Sequence, residues 1–391
     1  MTDLKTLYLR LCMTGVFREV VKKPLFRHYA DFCRDNAEQN ERVSAYAEFV
    51  AEIYRNGADL TNFVRRLIFE DENVYIKSRA KKLTVSKHIA ASVKLELSAF
   101  RKFAALTPKD FTSAVNLPDV LTFSSRDIDL ERQYEKRIRG IEKYGYGIFS
   151  SFCMFRLSDD KEIEAIASAD KISMEKFVGY EAERGQVIAN TEAFLENRPA
   201  ANTLLCGDAG TGKSSTVKAV ANLFFDRGIR LIELRKDQLR YLPYVMGKIS
   251  ENPLKFIIFI DDLSFNQNDD NFSMLKAALE GSAAARAENA VIYATSNRRH
   301  IIKESFGDRD GDDVHRNDTV QETLSLSERF GLTVLFSKPD KRLYLEIVHQ
   351  LADRNQITME KAELDIKAEA FALRRGNRSA RCAEQFIESL M

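Results

Sequence analysis

The chain has 391 residues, 45% of them hydrophobic and 30% charged, and 59 Lys and Arg against 58 Asp and Glu leave a formal net charge of +1. That length holds about two to three domains with sizeable cores, and the charge balance excludes an overall electrostatic pull toward nucleic acid or membrane. Five cysteines (Cys12, Cys33, Cys153, Cys206, Cys382) and five histidines are scattered without metal-site spacing, so reduced thiols in a cytosolic protein are expected. No charged-then-apolar leader pattern opens the chain and no apolar run approaches about 18 residues, so a cytoplasmic protein without a membrane span is expected.

The first half reads as helix. Val43, Tyr46, Val50 and Ile53 form a core-facing stripe, with Gly57 as a helix stop. Leu60, Phe63, Val64, Leu67 and Ile68 form a second stripe at helical spacing. Thr107 and Pro108 read as an N-cap followed by proline in the first turn. Residues 1–165 are expected to form one mainly helical domain. Its one motif-like feature is basic: Lys77, Arg79, Lys81, Lys82, Lys87, Lys94, Arg101 and Lys102, with Glu96 the sole acid among them. Two readings stand, a solvated helical face or a patch for nucleic acid or an acidic partner. Gly145 to Leu157 is apolar but too short to span a membrane, which leaves a buried strand or a core helix. Residues 166–176 read as a linker.

From Phe177 onward strands alternate with helices, which implies a parallel sheet with right-handed crossovers. Thr203–Cys206, Ile229–Leu234, Phe256–Ile260, Ala290–Ala294 and Leu332–Phe336 are the expected strands, with helices after the first, over Asp237–Ile249 and over Met274–Gly281. Residues 177–338 are the expected α/β core, and 339–391 are expected to be helical, with helices to about Arg354, over Met359–Arg375 and from Ser379.

Gly207, Asp208, Ala209, Gly210, Thr211, Gly212, Lys213 and Ser214 fit the phosphate-binding pattern G-x-x-x-x-G-K-[ST], between an apolar strand and a helix. Glycines let such a loop turn its N–H groups onto a phosphate, and the helix N-terminus adds its dipole. Ser215 extends this binding set. Lys213 would reach the β- and γ-phosphates of ATP, and the Ser214 hydroxyl would ligate Mg²⁺. FIIFIDD ends the third strand with Asp261, read as the second Mg²⁺ ligand, and Asp262, read as the base that orients and deprotonates the attacking water. Asn297, at the tip of the fourth strand, could hold that water or simply form a turn. Arg298, Arg299 and His300 follow as a signalling loop or a solvated one. Arg329, in Ser327-Glu328-Arg329-Phe330-Gly331, could stabilise transition-state charge or make a surface ion pair. Arg381, or else Arg378, would reach the nucleotide from the C-terminal helices, or the two are ordinary charges at a helix end.

Taken together, GDAGTGKS, FIIFIDD, ATSN, SERFG and RSAR, in that order, resemble the AAA+ ATPases over roughly residues 175–391. NTEAFLENRPAANTLLCGDAGTGKSS, DDLSF, LKAALEG, YATSNRRH and LSLSERFGL more closely resemble the bacterial AAA+ family known as domain of unknown function 815. The resemblance implies a five-stranded parallel P-loop NTPase sheet in spatial order 5-1-4-3-2, a C-terminal helical lid, and a mainly helical N-terminal domain before them. It also implies roles: Lys213 and Ser214 match Walker A, Asp261 and Asp262 Walker B, Asn297 sensor 1, Arg329 the arginine finger, and Arg381 or Arg378 sensor 2. Asp262 stands where most of these proteins carry Glu.

The resulting expectation is a homo-oligomeric ring or partial ring that hydrolyses ATP with Mg²⁺ to remodel or assemble an unidentified macromolecular partner. Two alternatives are a nucleotide-gated binding module with negligible hydrolysis and a DNA replication or recombination loader.

Overall fold

The computed structural model describes residues 2–117, 119–166, 172–263, 275–276, 279, 287–297 and 329–391. Most of the expected helix over residues 274–281, the loop of Arg298, Arg299 and His300, residues 167–171 of the expected linker, and Ser327 and Glu328 lie outside these. The chain divides into two compact units, Met1–Ser151 and Phe152–Met391. No helix among the described residues is long and apolar enough to cross a membrane.

The first unit is helical. Its helices are α1 (Thr2–Cys12), α2 (Pro24–Phe32), α3 (Gln39–Arg55), α4 (Leu60–Glu70), α5 (Val74–Ala80), α6 (Lys87–Ala104), α7 (Pro108–Val115), α8 (Leu130–Arg139) and α9 (Ile141–Tyr144). The stripes read from the sequence face its core: Tyr46, Val50 and Ile53 on α3, and Leu60, Phe63, Val64 and Ile68 on α4, are buried. Thr107 and Asp110 form a reciprocal capping box at the start of α7, with Pro108 in its first turn. Glu96 is buried on α6, where its carboxylate accepts the backbone N–H groups of Gly15, Val16 and Phe17 at 2.9–3.1 Å. The basic stretch pairs off in part: Arg101 donates two hydrogen bonds to Asp127 at 2.7 and 2.6 Å, and Lys77 pairs with Glu72 at 3.0 Å.

The second unit is built on a seven-stranded sheet, β1 (Met154–Leu157), β2 (Ile163–Ala165), β3 (Thr203–Gly207), β4 (Ile229–Leu234), β5 (Lys255–Ile260), β6 (Ala290–Ser296) and β7 (Leu332–Phe336). The order across it is β2-β1-β4-β5-β6-β3-β7, and every pairing is parallel except β1 with β2. Read from β7, the five expected strands run in the expected order, but among the described residues the sheet has seven strands and not five. The correction comes from the apolar run before Leu157. Met154, Phe155 and Arg156 pair with Leu231, Ile232 and Glu233 of β4, which places residues 152–165 in the second unit and not at the end of the helical one.

Helices α10 (Glu181–Leu195) and α11 (Lys213–Leu223) accompany the sheet, and Val187, Val217 and Val220 join Leu205, Ile257 and Tyr293 in its core. The helix expected over Asp237–Ile249 is shorter. A 3-10 turn over Lys236–Tyr241 precedes α12 (Leu242–Ile249), whose first turn contains Pro243. Proline has no N–H for an i→i−4 bond, so it restarts the helix there. Three C-terminal helices, α13 (Lys341–Arg354), α14 (Lys361–Arg375) and α15 (Ala380–Glu388), are capped by Asp340, Glu360 and Ser379 and share a core of their own around Tyr344, Val348, Ala368 and Phe386.

Candidate functional site

At the carboxyl end of β3 the chain cannot carry a side chain. Gly207 has φ +136°, and a Cβ there would lie 2.0 Å from the carbonyl oxygen of Phe336 on β7. Gly210 and Gly212 are also left-handed, at φ +77° and +89°, and they turn the loop into the first residue of α11. Asp208 pins the loop to the end of β7, its N–H donating to Phe336 O at 3.2 Å and its carboxylate accepting the Lys338 N–H at 2.9 Å.

Lys213 is buried, and its ammonium donates to Gly207 O at 3.0 Å, to Asp208 O at 2.7 Å and to Asn297 Oδ1 at 3.1 Å. Burial lowers its pKa, while Asp208 and more weakly Asp261 and Asp262 oppose the shift. The amide of Asn297 faces both ways, because its Nδ2 donates to Asp262 Oδ1 at 2.8 Å. Asp262 has φ +50°, left-handed backbone that directs the chain away from β5.

Asp261 accepts the Ser214 hydroxyl at 2.6 Å and the Thr295 hydroxyl at 2.5 Å. Thr295 in turn accepts the Asp262 N–H at 3.0 Å. Thr295 is therefore the brace of the acid pair, a function its place within ATSN did not suggest. Ser214 and Asp261 offer two hard oxygens beside the loop, and Mg²⁺ is held by one or two carboxylates together with substrate phosphates. Those residues fit such an ion. Among the described residues no group of three or more His, Cys, Asp or Glu forms an all-protein metal cage.

The loop from Ala209 to Ser215 and the side chains of Asp261, Asp262, Thr295 and Asn297 line one cleft of about 330 Å³, which the segment Lys176–Val178 and helices α13 and α15 also border. Lys213, Ser214, Ser215, Asp261, Asp262, Asn297 and Arg381 all reach it. Arg381 also donates its N–H to Gly210 O at 3.3 Å. Arg378 is not among the lining residues; it donates to both oxygens of Glu369 at 3.0 and 2.8 Å. Arg329 is not among them either. It sits just before β7, whose Leu332 pairs with Thr203 and whose Phe336 pairs with Gly207, so it lies at the opposite end of the strands from the loop.

Two residues without a sequence signal, Arg184 in the cleft and Arg354 beside it, also shape the site. Arg184 on α10 is buried against the Phe177 ring, 5.1 Å from guanidinium to centroid, and burial lowers its pKa. Arg354, from the end of α13, donates to Glu175 O at 2.9 Å and to Lys176 O. These contacts lay the segment before α10 along the cleft.

A family model described as "Protein of unknown function (DUF815)" matches residues 150–391. No curated protein matches the chain. Among solved structures, the Thermotoga maritima RuvB Holliday junction branch migration motor is similar at 12% identity, covering 56% of this chain and 72% of that one with a TM-score of 0.35. Two mutant forms of the same motor are similar at 13% identity over the same shares, with TM-scores of 0.35 and 0.36.

Proposed function

This chain belongs to the DUF815 family, whose model spans residues 150–391, and from that premise we propose that it is an AAA+ ATPase that hydrolyses ATP to ADP and phosphate. The observation that carries the reading is the hydrogen-bonded series Lys213–Asn297–Asp262, which joins a phosphate-binding loop to a carboxylate at the carboxyl edge of the sheet. In an open α/β sheet that edge is where ligands bind.

The loop N–H groups and the α11 N-terminus bind the triphosphate, and Lys213 turns its ammonium from the loop carbonyls to the β/γ-phosphates. Ser214 and Asp261 would hold Mg²⁺, which would supply neutralisation of the phosphate charge. Asn297 orients a water toward the γ-phosphorus, and Asp262 takes its proton. Helices α13 to α15 act as a lid and present Arg381 to the phosphates. Arg329 completes the pocket of a neighbouring subunit, which makes the working form a homo-oligomer, a ring or partial ring. Turnover drives remodelling or assembly of a macromolecular partner, and the free cysteines among the described residues suit a cytoplasmic setting.

Steady-state phosphate release with and without Mg²⁺, against a Lys213→Ala blank, tests the reading. Mg²⁺-dependent release well above the blank is expected. Release equal to the blank, under conditions that permit assembly, replaces the enzyme with a nucleotide-gated binding module.

A further inference from the structure

Glu384 stands in the wall of this cleft with no hydrogen bond or ion pair to a described residue. It lies on α15 three residues beyond Arg381, so both project from one side of that helix. The start of α15 is fixed against the phosphate loop, because a Cβ on Gly210 would meet Ser379 Oγ at 3.0 Å and Arg381 Cβ at 3.3 Å. Each further residue along α15 adds about 1.5 Å, which sets Glu384 roughly one turn beyond the phosphate end. Val178, Ile347 and Leu351 give the same cleft its apolar lining.

A nucleotide anchored by its phosphates at the loop must lay its base along those apolar walls. A carboxylate in a cleft that takes a polyanion is unfavourable unless a donor meets it. Glu384 is exposed to water in the open cleft, where partial desolvation and Glu388 raise its pKa and Arg381 opposes the shift. A nucleotide laid over it would remove that water, and a hydrogen-bond donor on the ligand would take the water's place.

We propose that Glu384 is the base-reading residue of the site, its carboxylate accepting a hydrogen bond from the exocyclic amine of adenine. This rests on the ATP reading above and adds to it the residue that recognises the base.

The test is equilibrium binding of ATP and of purine riboside triphosphate, which lacks only that amine, to the full-length protein with Mg²⁺. Wild type should bind ATP about tenfold or more tightly than the analogue, the scale of a hydrogen bond to a charged group. In Glu384→Ala the two ligands should bind within about twofold of each other, because the amine has lost its partner. Glu384→Gln keeps an acceptor oxygen and should retain part of the preference. An unchanged ATP-to-analogue ratio in Glu384→Ala, with wild-type melting behaviour, overturns the proposal. Equal weakening of both ligands also overturns it, since a residue that only shapes the wall would behave that way. Failure of wild type to bind either ligand would instead remove the nucleotide reading on which the proposal stands.

Discussion

The Lys213 ammonium donates to the Asn297 side-chain oxygen at 3.1 Å, tying the first residue of α11 to the residue that follows β6. β3 and β6 are parallel neighbours in the sheet, so their carboxyl ends meet and the two side chains come together although 84 residues separate them. Lys213→Ala removes the one cation of the phosphate loop and leaves the glycine turns intact. ATP affinity should fall by at least about tenfold, read by calorimetry, because a charge-assisted contact to phosphate is lost.

Asp262→Asn keeps size and removes charge and basicity. It should bind ATP as wild type does and turn over at least about tenfold more slowly. Single-turnover measurements separate this from a binding defect. An unaltered rate would mean that Asp262 does not take the proton.

Thr295 supports both acids at once, so Thr295→Val tests the brace without changing volume much. Asp261 would lose a donor and the Asp262 N–H an acceptor, in a place where Thr295 is only 2% exposed. A loss of about 1–2 kcal/mol in stability is expected, with weaker Mg²⁺-dependent ATP binding. Thr295→Ser, which keeps the hydroxyl, should recover most of both. Thermal unfolding with and without Mg²⁺ and ATP reads the two effects.

Asp71, which caps the end of α4 and accepts Asn73 Nδ2 at 2.8 Å, carries a carboxyl whose pKa burial pushes up to about 6. Asn73 opposes that shift, and Glu19 and Glu72 reinforce it. Between the ordinary aspartate value near ~4 and the raised one, the folded state keeps a proton that the unfolded chain has released. Stability of the first unit should therefore fall as pH rises through that window and level off above it. Asp71→Asn should flatten the dependence. Chemical denaturation of the fragment Met1–Ser151, measured from about pH 4 to pH 7, shows both. A slope that persists in Asp71→Asn assigns it to another group.

The phosphate loop and the acid pair were legible because each is a local pattern fixed by chain geometry. Gly207, Gly210 and Gly212 sit where side chains are strained or excluded, and the FIIFI of FIIFIDD is a strand covered on both faces that ends at the two acids. The seven-stranded sheet was less legible. β1 and β2 are four and three residues long and too short to show a period, and β1 is set by its pairing with β4. Thr295, Arg184 and Glu384 escaped for a different reason: Thr295 acts on Asp261 and Asp262 at the end of another strand, and Arg184 and Glu384 carry no motif and reach the cleft only through the placement of α10 and α15. Pro243, by contrast, was a visible signal for the shorter α12 that helical spacing alone overrode.

Arg329 gives the last prediction. It precedes β7, and β7 runs parallel to β3 with Leu332 beside Thr203 and Phe336 beside Gly207. Five residues at about 3.3 Å each therefore separate the end of the strand next to Arg329 from the end that meets the loop of its own chain. On the ATP reading proposed above, an arginine so placed would reach a γ-phosphate only across an interface with a second subunit. Arg329→Ala should bind ATP and hydrolyse it 10³-fold more slowly or worse, by the scale of other arginine fingers. Lys213→Ala should be inactive for the opposite reason, with a broken pocket and an intact finger. Mixing the two inactive variants should restore part of the turnover, because some interfaces then pair an intact pocket with an intact finger. Diluting the mixture below the assembly concentration should abolish that activity again. Absence of rescue at every ratio, with subunit exchange demonstrated, would assign Arg329 to bracing the fold of its own chain.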